Sequence, residues 1–166
     1  IKGPPMTQFF TNLRLLDPQA GTLEPAAVLV RNGVIAEVLA GDATAPNGAE
    51  VMDCSGHILA PGIVDIGVKV CEPGERHKES YRSAGLAAAA GGVTTMVTRP
   101  DTDPAIDSPE TLEFVTRRAN EAAPVNVVPM AALTKGREGR EMTEIGFLMD
   151  AGAAAFTDCD RVVTDT

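Results

Sequence analysis

Cysteine and histidine side chains are the ones in this sequence best suited to nucleophilic or metal-ligand chemistry, and they are few: three cysteines and two histidines. Cys71 and Cys159 each follow a predicted strand, and His77 lies in the polar loop after Cys71. Side chains at the carboxyl ends of parallel strands meet at one edge of a sheet, so these three residues are candidates for a thiolate site. The scarcity of supporting ligands favours the alternative, in which the cysteines are inert small side chains and the histidine is solvated.

The number and spacing of the cysteines exclude two other kinds of site. Cys54, Cys71 and Cys159 are odd in number, and no two of them form a CxxC pair. The pattern therefore predicts neither a disulfide framework nor a zinc knuckle. A reducing, cytoplasmic environment is the expected compartment.

Composition limits the partners and the core. The 166 residues carry a formal net charge of −9, so the surface is expected to repel nucleic acid and anionic membranes. No apolar run approaches the roughly 20 residues that a membrane-spanning helix needs. Hydrophobic residues make up 44% of the chain and aromatic residues only 4%. This balance predicts a core of aliphatic side chains between helices and a parallel sheet.

The chain divides into a short N-terminal segment and two longer regions. Residues 1–6, IKGPPM, are interpreted as a non-native remnant of cloning. Residues 7–59 alternate β-rich runs with turn residues, and the Arg-Asn-Gly sequence at 31–33 predicts a hairpin because Asn and Gly tolerate positive φ. Residues 60–166 repeat strand, loop and helix.

The second region contains four such repeats. Ser108 followed by Pro109 marks the start of one helix. Strands are predicted at 62–70, 93–100, 125–133 and 153–158, and helices at 80–92, 108–123 and 141–152. Parallel strands with crossover helices follow, in either a doubly wound sheet or part of a (β/α)₈ barrel. Four strands cannot close a barrel of eight, and the sequence stops soon after a strand, so the barrel is expected to be incomplete.

Six phrases, in this order, carry a resemblance to a known family: GHILAPGIVDIGV, EPGERHKES, AAAAGGVTTMV, RPDTDPAIDSPETLEFV, ALTKGREGREMTE and AGAAAFTD. Together they resemble dihydroorotase, of the amidohydrolase superfamily, over nearly the whole chain. The resemblance implies an α/β fold: residues 60–166 would be the first four β/α units of a TIM-type (β/α)₈ barrel of the metal-dependent hydrolase kind. Residues 7–59 would be one segment of a small composite β-sandwich.

The departures from the family pattern fall on the positions that the resemblance assigns to the active site. The family's two metal-binding histidines fall on Gly67 and Lys69, and the arginine for the substrate carboxylate falls on Cys71. The family's substrate asparagine falls on Asp101. Its active-site aspartate falls on Asp158 or Cys159, with Cys159 the preferred alignment.

These replacements predict a site without catalytic residues and without a bound metal or other cofactor. Gly67 offers no ligand, and the ammonium of Lys69 repels a dication. The Cys71 thiol cannot clamp a carboxylate as a guanidinium does, and the Asp101 carboxylate repels an anionic substrate. Glu72, Pro73 and Gly74 are predicted to shape their loop, and Asp65 to accept structural hydrogen bonds.

Three hypotheses follow. In the first, the chain is an inactive dihydroorotase-like subunit of pyrimidine biosynthesis that serves assembly, because the resemblance extends to non-catalytic bacterial chains that partner aspartate carbamoyltransferase. In the second, it is an active cyclic-amide hydrolase whose zinc site is degenerate or relocated, using Cys71, Cys159 and Asp158. In the third, it is a fragment that needs the other half of its barrel. Exposed barrel edges predict pairing with that half or with another copy.

Overall fold

A computed structural model describes residues 6–164, so most of the predicted cloning remnant at 1–6 lies outside the described residues. The chain divides into two compact units, one ending at Pro61 and the other beginning at Gly62. No helix among the described residues is long and apolar enough to cross a membrane.

The first unit is a five-stranded sheet. Strands β1 and β2 pair in antiparallel fashion, as do β2 and β3, whereas β4 and β5 both run parallel to β1. The predicted hairpin is confirmed: Asn32 and Gly33, with φ of 53° and 78°, form the turn between β2 and β3. The strands are β1 (Thr7–Asp17), β2 (Thr22–Arg31), β3 (Val34–Ala40), β4 (Glu50–Asp53) and β5 (Ile58–Leu59).

Both faces of this sheet carry buried apolar side chains. Phe9 packs with Ala27 and Leu29 in one cluster, while Leu13 packs with its neighbours from β2 in a second. The alternation of the two sets along β2 follows from the two-residue period of a strand.

The second unit alternates strands and helices. Its sheet is parallel, in the order β6-β7-β8, so each strand lies beside the next one in sequence. Among the described residues this order progresses in one direction, as barrel strands do. The elements are β6 (Ile63–Val68), α1 (Tyr81–Ala90), β7 (Val93–Thr98), α2 (Pro109–Ala122), β8 (Asn126–Pro129) and α3 (Ile145–Asp150).

Serine caps start the two longer helices. The Ser80 hydroxyl accepts a hydrogen bond from the Ser83 backbone N–H at 3.2 Å, and Ser108 does the same for Thr111 at 3.4 Å. Each cap satisfies an N–H that has no partner inside its helix. The predicted start of α2 at Ser108 and Pro109 is thereby confirmed.

The predicted fourth strand is shorter than expected. Residues 153–158 form only one parallel bridge, between Ala131 and Phe156. The Ala153 N–H bonds to Leu148 inside α3 and the Asp158 carbonyl accepts from Arg161 in a turn, so these bonds mark the two ends of the segment. Between them, the N–H groups of Ala154 and Thr157 donate to the carbonyls of Pro129 and Ala131. The third helix is also shorter than the predicted 141–152. Even so, the bridge places the fourth segment next to β8, which continues the sequential order.

Candidate functional site

The positions singled out in the sequence lie at the carboxyl ends of the parallel strands. Gly67 and Lys69 stand at the end of β6, Asp101 follows β7, and Asp158 and Cys159 follow the bridge at Phe156. Parallel strands end at one edge of their sheet, which explains why residues far apart in sequence meet here.

Gly67 has a backbone conformation that suits glycine. Its φ is +94°, and the pairing of β6 with β7 shifts register between Ile66 and Val68, so Gly67 sits in a β-bulge. No atom of the described residues lies within 4 Å of the place that a Cβ would take. The position therefore has space for a side chain, but the backbone disfavours one.

Lys69 and Asp101 form an ion pair. The Lys69 Nζ lies 3.1 Å from Oδ2 of Asp101, whose side chain is only 3% exposed. Arg99 binds the same carboxylate through both oxygens, with Nε 3.1 Å from Oδ1 and a terminal nitrogen 2.8 Å from Oδ2. Asp101 is thus held by two cations, and the bidentate geometry is the strong form of an arginine–carboxylate pair.

The two cysteines lie in different clefts. Cys71 lines a small cleft of about 90 Å³ together with Lys69 and Asp101. Cys159 lines a larger one of about 330 Å³ with Gly67 and Arg99. The described residues contain no group of three His, Cys, Asp or Glu side chains that could hold a metal ion. Cys71 and Cys159, two members of the candidate thiolate site, thus do not share a cleft within the described residues.

Arg99 binds the carboxylate of Asp101 and lines the same cleft as Cys159. Desolvation by itself would lower the pKa of Arg99, but the neighbouring Cys159 side chain and the charge of Asp101 raise the pKa above its ordinary value. Cys159 has a φ of 59°, and its backbone N–H donates to the Thr157 hydroxyl at 2.9 Å. Arg99 is thus a permanent cation facing this end of the sheet.

Asp158 uses its carboxylate for structure. Oδ1 accepts hydrogen bonds from the backbone N–H groups of Leu133 and Thr134, both at 3.0 Å, and Oδ2 accepts from the Thr134 hydroxyl. Its backbone carbonyl accepts from the Arg137 guanidinium at 3.2 and 3.3 Å. The buried carboxylate joins the loop after β8 to the last described segment, and its oxygens are committed to those donors.

Glu72, which was predicted to shape the loop after β6, binds groups from both α1 and α2. Its side chain is buried; Oε2 accepts from the Tyr81 N–H at 3.1 Å and Oε1 from the Arg118 Nε at 2.7 Å. Burial alone would raise the pKa of Glu72, but the bonds from Arg118 and Tyr81 outweigh it and hold the pKa below its ordinary value. The predicted loop-shaping role is confirmed.

Asp65 lies in β6 with its side chain exposed. The strand was predicted to be buried on both faces, whereas β6 is exposed along most of its length in the described part of the chain. The role of Asp65 as a structural acceptor stays a prediction.

The side chains at this edge do not fit a zinc ion. Zinc sites use imidazole, thiolate or carboxylate ligands in close array. Gly67 supplies no donor, the Lys69 ammonium occupies one side of Asp101, and the oxygens of Asp158 are already hydrogen-bonded. A thiol beside Arg99 is the remaining donor at the larger cleft, and one donor does not make a zinc site.

A family model described as dihydro-orotase-like matches residues 56–166, more than half of the chain. The chain belongs to the dihydroorotase-like family. It is 39% identical over 160 residues to a dihydroorotase of Pelobacter propionicus, covering 96% of this chain and 38% of that protein. It is 44% identical over 153 residues to a dihydroorotase of Bacillus cytotoxicus, covering 92% and 35%. The chain thus spans well under half the length of these curated relatives.

Solved structures support the fold. An L-hydantoinase (dihydropyrimidinase) from Arthrobacter aurescens matches with a TM-score of 0.77 at 22% identity, over 91% of this chain and 32% of that one. A dihydroorotase crystal structure matches with a TM-score of 0.56 at 14% identity, over 90% and 41%. The α/β unit of this dihydroorotase-like chain is consistent with the N-terminal part of the barrel fold of such enzymes.

Proposed function

We propose that this dihydroorotase-like chain belongs to a non-catalytic protein of pyrimidine biosynthesis. The observation that carries the proposal is the ion pair between Lys69 and Asp101. Lys69 stands where the resemblance places a metal-binding histidine, and its ammonium group pairs with the carboxylate of Asp101.

The chemistry of ring hydrolysis explains why this exchange matters. A dihydroorotase needs a divalent metal that deprotonates bound water near neutral pH. The end of β6 offers Gly67 and a protonated lysine, and Asp158 is bonded to the loop after β8. A metal-activated hydroxide has no ligand set at this edge, and Cys71 replaces the guanidinium that would hold the substrate carboxylate.

The proposed role is assembly in the cytoplasm with aspartate carbamoyltransferase. A subunit that acts by binding a partner needs the family fold and its surface, but it does not need the metal ligands. The net charge of −9 argues against nucleic acid and anionic membranes as partners. Self-association and pairing with the remainder of the barrel are compatible with the same role.

Light scattering of the full-length protein tests the assembly role. Mixed with aspartate carbamoyltransferase from the same organism, it should give one defined species heavier than either component. The matched control replaces the carbamoyltransferase by an unrelated acidic protein of similar size. Two unchanged species in both mixtures would contradict the assembly role.

A second candidate is an active cyclic-amide hydrolase with a degenerate or relocated zinc site. The relatives named dihydroorotase, at 39% and 44% identity, favour it. Under this candidate, zinc co-purifies in stoichiometric amount and dihydroorotate is hydrolysed at an enzyme-like rate. The proposed inactivity predicts neither result, so metal analysis and the hydrolysis assay on the full-length protein decide between the two.

A further inference from the structure

Asp101 is a carboxylate almost completely withdrawn from water, with 3% of its side chain exposed. A buried carboxylate is stable only where opposite charge and hydrogen-bond donors replace the lost water. Arg99 supplies two donors from two residues away, and Lys69 supplies a second cation from another strand. Lys69 is thus the partner of Asp101 that is distant in the sequence.

The ion pair joins two separate strand ends. Lys69 follows β6, whereas Asp101 lies in the loop after β7. Neighbouring backbone bonds support the junction, because the Arg99 N–H donates to the Val68 carbonyl at 2.9 Å. A metal bound between strand ends would make a connection of the same kind, drawing side chains of different strands onto one positive charge.

We propose that Lys69 is a built-in counter-cation that takes the structural place of a divalent metal at this edge. The inference rests on the proposed absence of a catalytic metal. Lys69 neutralises Asp101, ties the end of β6 to the loop after β7, and keeps divalent cations away from the carboxylate.

The local charges agree with this assignment. Lys69 and Arg99 are the two cations that contact the carboxylate of Asp101. Glu75 and Asp103 line the same small cleft, and Glu75 is paired with Lys78. The nearby carboxylate of Asp160 is paired with Arg137. A dication approaching Asp101 therefore meets two cations at short range, and Coulomb repulsion opposes its binding.

A double-mutant cycle on the full-length protein tests the proposal. The variants are Lys69→Met, Asp101→Asn and the double variant, and the measurement is the thermal unfolding midpoint. Lys69→Met should lower the midpoint by about 3 °C or more, the range expected when a domain of this size loses one charged contact to a buried group. In the Asp101→Asn background, the same substitution should have little further effect.

Two matched controls separate this role from a general effect of surface charge. Lys69→Arg keeps a cation at the end of β6 and should retain most of the midpoint. Lys78→Met removes an exposed lysine that pairs with Glu75, and should leave the midpoint nearly unchanged. If Asp101→Asn does not fold, the cycle is repeated with Asp101→Ser, which also removes the negative charge.

The outcomes are distinguishable. A deficit for Lys69→Met no larger than that for Lys78→Met, or additive effects in the cycle, would each overturn the inference. So would a rise of the wild-type midpoint when zinc replaces EDTA. Zinc-dependent hydrolysis of dihydroorotate would refute the proposed function itself, whereas a failed cycle alone would leave that function standing.

Discussion

Gly67 illustrates, at the scale of a single residue, how backbone conformation can disfavour a side chain where the space is open. Its φ of +94° and the register shift beside it mean that a side chain at this position strains the bulge although the space is open. A histidine introduced there would have to adopt a left-handed conformation before it could bind anything.

The first prediction concerns this strain. Gly67→Ala should lower the free energy of unfolding by about 1 kcal/mol, because an L side chain is disfavoured at positive φ. The measurement is urea denaturation. Gly146→Ala is the matched control: Gly146 lies inside α3, its Cβ position is open, and alanine should leave stability equal or higher there. Equal losses at both positions would contradict the backbone explanation.

Thr134 gives a second prediction at the same scale. Its hydroxyl donates to Asp158 and accepts from the Gly139 N–H at 2.8 Å, all in a buried setting. Thr134→Val should cost about 2 kcal/mol of unfolding free energy, since it leaves a buried carboxylate and an N–H short of one partner each. Thr134→Ser keeps the hydroxyl and is the control. A serine variant as unstable as the valine variant would mean that methyl packing, not the hydroxyl, matters.

At the scale of elements, Glu72 holds α1 and α2 together at one end. It caps α1 through the Tyr81 N–H and binds Arg118 of α2, and Arg76 lies 3.5 Å from the same carboxylate oxygen. The cap and the ion pair share one buried carboxylate, so the geometry of the loop after β6 depends on its charge.

The third prediction is the pH dependence of that contact. The folded pKa of Glu72 lies below its ordinary value, 4.5, so its stabilising contribution is present above that pH and is lost as the pH falls through the folded pKa. Glu72→Gln should therefore cost about 2 kcal/mol near neutral pH and progressively less below pH 4.5. Urea titrations from pH 7 to pH 3 measure this. A deficit that does not change with pH would show that the carboxylate charge is not responsible.

At the scale of the whole molecule, β6 leaves apolar side chains in water. Ile63, Val64 and Ile66 are 55%, 54% and 72% exposed, and β6 is an edge of the described three-stranded sheet. An exposed apolar strand edge is a template for pairing with another chain.

The fourth prediction follows for the 166-residue chain by itself. It should self-associate through β6, and Ile66→Lys should shift the population towards monomer, because a charged side chain on an edge strand opposes pairing. Light scattering over a concentration series measures the shift. Leu86→Lys is the control, since Leu86 is similarly exposed but lies on α1. Unchanged association in the Ile66 variant would place the contact elsewhere.

The sequence by itself determined the local structure and which residues occupy the candidate site positions. The Asn-Gly turn, the serine cap of α2 and the alternation of strand and helix depend on contacts within a few residues, which a pattern can report. The resemblance also implied that Gly67 and Lys69 occupy the positions of two metal ligands and Cys71 that of a substrate-binding arginine, which stays a prediction.

Only the tertiary structure decided which partners the candidate site residues contact. Three features depend on residues about 25 to 90 positions apart in the sequence. They are the pairing of Lys69 with Asp101, the hydrogen bonds to the Asp158 carboxylate, and the location of Cys71 and Cys159 in different clefts. Such partners depend on how strands align and where loops turn, and no local pattern encodes them. The exposure of Asp65 and the shortened fourth strand have the same cause, because burial and pairing are set by the neighbours that an element finds in space.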